Sequence, residues 1–160
     1  HDKGASLTWC EGNPNSRSHA MTLTNPLDGR CLCGAVSVSA SVSHRDLGAC
    51  HCDTCRRWGG GPLLAVECED QVTFSGEAQI RVYASSDWAE RGFCKQCGTH
   101  LLYRLREQPF YAIPVGLFDE QAGWQLNREV FIDQKPAYYC FAQSTLQLTG
   151  EELFALHGAS

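Results

Sequence analysis

The sequence predicts a single, mainly β domain with little helix. Three observations carry that expectation. Val36, Val38, Ala40 and Val42 alternate with Ser37, Ser39, Ser41 and Ser43, the period of a strand with one buried face. Short apolar runs then recur at close spacing, with Gly, Pro and Asp residues between them. No long segment repeats its apolar residues at helical spacing. A chain of 160 residues fits one domain, and 43% hydrophobic against 19% charged residues is enough to bury a core.

The elements follow in order. Residues 1–20 are polar and without period, and they read as an expression tag or disordered leader. Met21, the only methionine, reads as the native start, which makes 21–160 the domain. Cys10 falls in the leader and receives no role. Asp28-Gly29 signals a turn before the alternating strand, and Asp46-Leu47-Gly48 ends that strand. Arg56-Arg57-Trp58-Gly59-Gly60-Gly61-Pro62 reads as loop, and 63–68 as a mostly buried strand. Further strands are expected over 72–74, 79–83, 101–103, 110–115 and 138–141. One helical turn is expected over 118–122 and a short terminal helix over 151–156. Cys68, Cys140, Phe93 and the aromatic group Tyr138, Tyr139 and Phe141 read as core, and Asp119-Glu120 as a turn or helix start.

The charge balance narrows the function. With 18 acidic against 13 basic residues the net charge is −5. That argues against a broad electrostatic grip on nucleic acid or an anionic membrane. No apolar run approaches the roughly 20 residues of a membrane-spanning helix.

The unusual feature is ten cysteines, seven of them in tight groups: Cys31 with Cys33, Cys50 with Cys52 and Cys55, and Cys94 with Cys97. Such near neighbours rarely meet disulfide geometry with one another, yet they aim easily at one ion. Bound metal in a reducing compartment, the cytoplasm, is favoured over a secreted disulfide scaffold. Cys31, Cys33, Cys94 and Cys97 make a closed four-ligand set of the kind that holds structural zinc. Gly34 and Gly98 follow the two pairs, where tight turns let backbone N–H groups face sulfur. Cys50, Cys52 and Cys55 supply three thiolates and leave one tetrahedral position open, suited to chemistry on a thiol or a carbonyl. His51 within this group either points away from the metal, serves as its fourth ligand, or carries a proton. A fourth ligand would make this a second structural site. A dithiol redox pair at Cys94 and Cys97 is weakened by the strand, rather than helix, expected after it. Arg56 and Arg57 are either binders of an anionic substrate or a solvated pair, and Trp58 is either a pocket wall or packing. His100 reads as a partner for backbone or for a ligand side chain.

Three stretches together resemble the glutathione-dependent formaldehyde-activating enzyme family, which shares its domain with centromere protein V. They are Cys31-Leu32-Cys33-Gly34-Ala35-Val36, Cys50-His51-Cys52-Asp53-Thr54-Cys55-Arg56-Arg57 and Phe93-Cys94-Lys95-Gln96-Cys97-Gly98-Thr99. The resemblance spans about residues 27 to 140 and implies a zinc-binding β-tent fold. It implies structural zinc on Cys31, Cys33, Cys94 and Cys97, and a second zinc on Cys50, Cys52 and Cys55. The named activity is condensation of glutathione with formaldehyde, within the carbon–sulfur lyases. The expected protein is therefore a lyase with two zinc ions per chain acting on a small thiol or thiol adduct, with glutathione as co-substrate. Its three-cysteine zinc is catalytic, His51 is the first candidate base, and Arg56, Arg57 and Trp58 contact substrate. The alternative is a non-catalytic binding module stabilised by two structural metals.

Overall fold

The computed structural model describes residues 26–156; the leader and start assigned to 1–21, with Cys10, lie outside the described residues. The chain runs through β1 (Leu27–Arg30), β2 (Ser37–Ala40), β3 (Asp46–Cys50), α1 (Asp53–Gly59), β4 (Leu63–Glu67), β5 (Val72–Ser75) and β6 (Ile80–Ala84). It continues through β7 (Ala89–Cys94), β8 (His100–Leu105), β9 (Tyr111–Pro114), β10 (Gln125–Val130), β11 (Leu146–Leu148) and α2 (Gly150–Leu156). Among the described residues the two α-helices have seven residues each, so the domain is mainly β, as its alternation predicts.

Two sheets form. The small one is antiparallel in the order β1-β2-β5, and the large one runs β11-β10-β3-β4-β9-β8-β7-β6. Its pairs are antiparallel except at β10, which lies parallel to both β3 and β11. A bridge from Gly29 to Phe118 ties β1 to the chain leaving β9. Val36, Val38, Val66, Leu101, Ile113 and Phe118 anchor one buried cluster between the sheets. Burying each such side chain contributes about 1.5–3 kcal/mol. Among the described residues no helix is long and apolar enough to cross a membrane.

Several elements differ from expectation for identifiable reasons. Asp28-Gly29 lies inside β1 because the glycine admits the Leu117 carbonyl, which a Cβ would meet at 2.2 Å. The alternating strand stops at Ala40, and Asp46-Leu47-Gly48 opens β3 with Leu47 and Ala49 buried. Arg56, Arg57, Trp58 and Gly59 belong to α1 rather than a loop. The Cys55 N–H donates to the Cys52 sulfur at its start, and Gly60 closes its end in the left-handed conformation with an N–H donated to the Arg56 carbonyl. No helical turn forms over 118–122: the Gln121 side chain donates to the carbonyls of Val115 and Phe118, after a 3₁₀ turn at Val115–Leu117. Residues 138–141 form no strand, Tyr138 is 78% exposed and Cys140 is exposed. Tyr139 is instead drawn to His51, which takes this segment out of any ladder. Cys68 is buried as expected.

This framework brings distant cysteines together. Cys31 and Cys33 sit in the β1–β2 turn of the small sheet. Cys94 ends β7 of the large sheet, and Cys97 sits in the turn to β8. Cys50 ends β3, Cys52 caps α1 and Cys55 lies in its first turn.

Candidate functional site

Both cysteine groups converge. The sulfurs of Cys31, Cys33, Cys94 and Cys97 lie within 4.8 Å of one another, and so do those of Cys50, Cys52 and Cys55. Thiolates about 2.3 Å from a tetrahedral ion stand about 3.8 Å apart. The Cys31–Cys33 and Cys33–Cys94 sulfurs are 3.6 and 3.8 Å apart, far beyond the ~2.05 Å of a disulfide. The donor sets therefore fit a thiophilic cation such as zinc, four sulfurs in one case and three in the other.

The four-sulfur group is closed by its turns. The Cys31 N–H donates to the Val36 carbonyl at 2.9 Å, and the Val36 N–H donates to the Cys31 sulfur at 3.3 Å. Across the chain, the Cys94 N–H donates to the Thr99 carbonyl and the Gly98 N–H to the Cys94 carbonyl. Gly34 and Gly98 have φ of 78° and 77°, left-handed values that let each turn fold back under its sulfurs. The Leu32 N–H donates to Thr99 Oγ1, linking the two knuckles. The Thr99 hydroxyl, 3.1 Å from the Cys97 sulfur, holds that thiol down at about 5.

The three-sulfur group sits where β3 meets α1. Hydrogen bonds from the Cys50 and Cys55 thiols hold Cys52 well below an ordinary thiol, while the same sharing pushes Cys50 up. A buried brace lies behind it. His51 is 0% exposed, with Nε2 2.8 Å from Glu129 Oε1 and Nδ1 2.7 Å from the Tyr139 hydroxyl. A carboxylate only accepts, so Nε2 carries the hydrogen. Burial raises the Glu129 pKa, but bonds from Thr145 and His51 outweigh it and leave the carboxyl below the ordinary glutamate value. The His51 N–H donates to the Val130 carbonyl at 3.1 Å, so side chain and backbone both fasten this loop to β10.

The remaining predicted residues spread out. The Arg56 Nε donates to the His51 carbonyl at 3.0 Å. Arg57 is 80% exposed and pairs with Asp53 at 2.9 Å on the surface of α1. The Trp58 ring stacks on His100, centroids 3.9 Å apart and 8° from parallel. An open depression of about 460 Å³, lined in part by His44, Asp46, Glu67 and Arg128, lies at the Asp46 end of β3, away from Cys50 and both sulfur groups.

Arg91 and Glu129 were not legible as site residues. Arg91, on β7, is 4% exposed, and its Nη2 donates to the Cys55 sulfur at 3.4 Å. Its guanidinium carbon lies 5.0 Å from the Trp58 ring centre and 5.1 Å from that of Tyr103. Its position near Cys94 in sequence gives no sign that it serves the other cysteine group. Glu129 lies in a polar strand, 125–130, that apolar patterning does not detect.

Comparison with known proteins places this arrangement. The chain is 38% identical over 128 residues to a Schizosaccharomyces pombe protein named as an uncharacterized lyase, covering 79% of this chain and 93% of that one. It is 28% identical over 129 residues to a candidate glutathione-dependent formaldehyde-activating enzyme of Podospora anserina, and 31% identical over 107 residues to one of Penicillium rubens. These matches cover 74% and 60% of this chain, and they span about half the length of those two proteins, 55% and 54%. A Rhodobacter sphaeroides crystal structure superposes with a TM-score of 0.52 at 25% identity, over 59% of this chain and 90% of that one. Residues 26–134 match the family model described as glutathione-dependent formaldehyde-activating enzyme, and the chain belongs to that family.

Proposed function

We propose that the protein is a zinc-dependent carbon–sulfur lyase-type enzyme that joins a small thiol, glutathione foremost, to formaldehyde or another small aldehyde, or reverses that addition. The observation that carries this reading is the inequality of the two cysteine groups: four convergent sulfurs in one, three in the other. Cys50, Cys52 and Cys55 would hold the zinc, which would supply Lewis acidity to keep an incoming thiol deprotonated for addition to a carbonyl. Overall, the S–H adds across C=O: a C–S bond forms, and the carbonyl oxygen takes the proton to become a hydroxyl.

The chain's own residues prepare that site. Cys50, Cys52 and Cys55 present their sulfurs from a strand end and a helix start. His51, with both ring nitrogens engaged by Glu129 and Tyr139, holds the loop in place. Trp58 stacks on His100 and lies against Arg91, which reaches Cys55, and Arg56 is tied to the His51 carbonyl. Cys31, Cys33, Cys94 and Cys97 take the structural ion that joins the two sheets. A reducing, cytoplasmic setting fits nine free thiols among the described residues.

The test is metal content followed by thiol addition. Carefully reduced protein should carry one zinc in each cysteine group, two per chain. Adding glutathione should then change the metal's sulfur coordination in X-ray absorption. Zinc in the four-cysteine group alone, or no response to any thiol, refutes the reading, and a thiol-silent protein with both ions bound is the binding module instead.

A further inference from the structure

We propose that Arg91 is a positioning residue that sets the charge of the three-cysteine site, so that the site accepts a negatively charged fourth ligand. The inference rests on the reading of that site as a thiol-binding metal centre.

Arg91 is a buried cation in an unusual setting. Arginine is rarely this buried without a carboxylate or phosphate partner. Among the described residues no carboxylate forms an ion pair with it, and its Nε and Nη1 are buried without hydrogen-bond partners. What it does have is the Cys55 sulfur at 3.4 Å and two aromatic rings, Trp58 and Tyr103, against the guanidinium. The rings favour a cation there but cannot neutralise it. The sulfur group is therefore the anionic partner of this charge.

The charge count gives that placement a use. Three thiolates and one divalent cation leave one net negative charge, which Arg91 cancels. An arriving thiolate then meets a neutral site instead of a negative one, in surroundings where a unit charge a few ångströms away is weakly screened. Among the described residues the four-cysteine group receives no such arginine: its sulfurs take bonds from the Val36 N–H and the Thr99 side chain, and Cys33 is exposed to water. β7 supplies both arrangements. Cys94 contacts Cys33 in the closed group, and Arg91, three residues earlier, contacts Cys55 in the open one.

The test uses the full chain loaded with cobalt in place of zinc, titrated by absorption with azide, glutathione and imidazole. Arg91→Met removes the charge at similar length, Arg91→Gln is the second neutral variant, and Arg91→Lys retains the charge. The neutral variants should bind azide and glutathione about tenfold more weakly, with imidazole affinity unchanged and Arg91→Lys close to wild type. Equal weakening of azide and imidazole would reduce Arg91 to a packing role and overturn the proposal. So would unchanged azide affinity in both neutral variants, or a wild type that binds no probe. A wild type that takes azide and imidazole but no thiol would refute the thiol-binding function, and the azide comparison would still decide the role of Arg91.

Discussion

Replacing Glu129 with alanine should destabilise the domain strongly. Its side chain is almost wholly buried and collects the His51 Nε2 at 2.8 Å, the Thr145 hydroxyl and the Gln147 Nε2 at 3.3 Å. Removing the carboxylate strands the fully buried His51 nitrogen and the half-buried threonine hydroxyl, while the exposed glutamine turns to water. A buried donor left without a partner costs about 1–3 kcal/mol. The deleted side chain also leaves a gap, which brings the expected loss to about 3–5 kcal/mol, a large share of the ~5–15 kcal/mol of a typical domain. Glu129→Gln keeps an acceptor for His51 and should lose about 1–2 kcal/mol. Urea unfolding of the metal-loaded proteins, followed by circular dichroism, measures both. The same titrations against pH give a second reading. The folded-state pKa of Glu129 lies below its ordinary value of 4.5. Its stabilisation is therefore fully present above that value and lost as the pH falls through the depressed folded-state pKa. The wild-type advantage over Glu129→Gln should shrink in that acid window and stay level above it. A loss under about 1 kcal/mol for Glu129→Ala, or an advantage that grows as the pH falls, would refute the account of the brace.

Two further comparisons separate the cysteine groups. Cys97→Ser should unfold or aggregate the domain, because a structural zinc contributes on the order of 10 kcal/mol gross to folding; Cys52→Ser should lose one zinc and all activity with its circular dichroism unchanged. Equal loss of folding in both would mark two structural sites. Gly34→Ala and Gly98→Ala, at φ of 78° and 77° with open space around each added Cβ, should each cost about 1–2 kcal/mol through backbone strain alone. They should also raise zinc loss to a chelator from the four-cysteine group while sparing the other.

Local patterns were legible where the chemistry is local. Two cysteines two or three positions apart can aim their sulfurs at one point, and that is visible from spacing alone. Alternation announces a strand when one face is buried, as in β2, and a short apolar run announces one that is mostly buried, as in β4. α1 was hidden because its glycine run reads as loop, although Gly60 is the stop signal of a short helix whose start is capped by the Cys52 sulfur. β10 was hidden because its polar residues face partners rather than core: Glu129 goes to His51, and Arg128 pairs with Glu67.

By itself, then, the sequence determined the mainly β class, the family and the division of seven cysteines into four and three. Only the tertiary structure decided what surrounds the group of three: Glu129 and Tyr139 on His51, and Arg91 on Cys55, from positions 36 to 88 residues away. The reason is physical. Cysteine spacing within a group is set by the reach of a few covalent bonds, whereas the partner of a buried charge or imidazole is set by which strands pair.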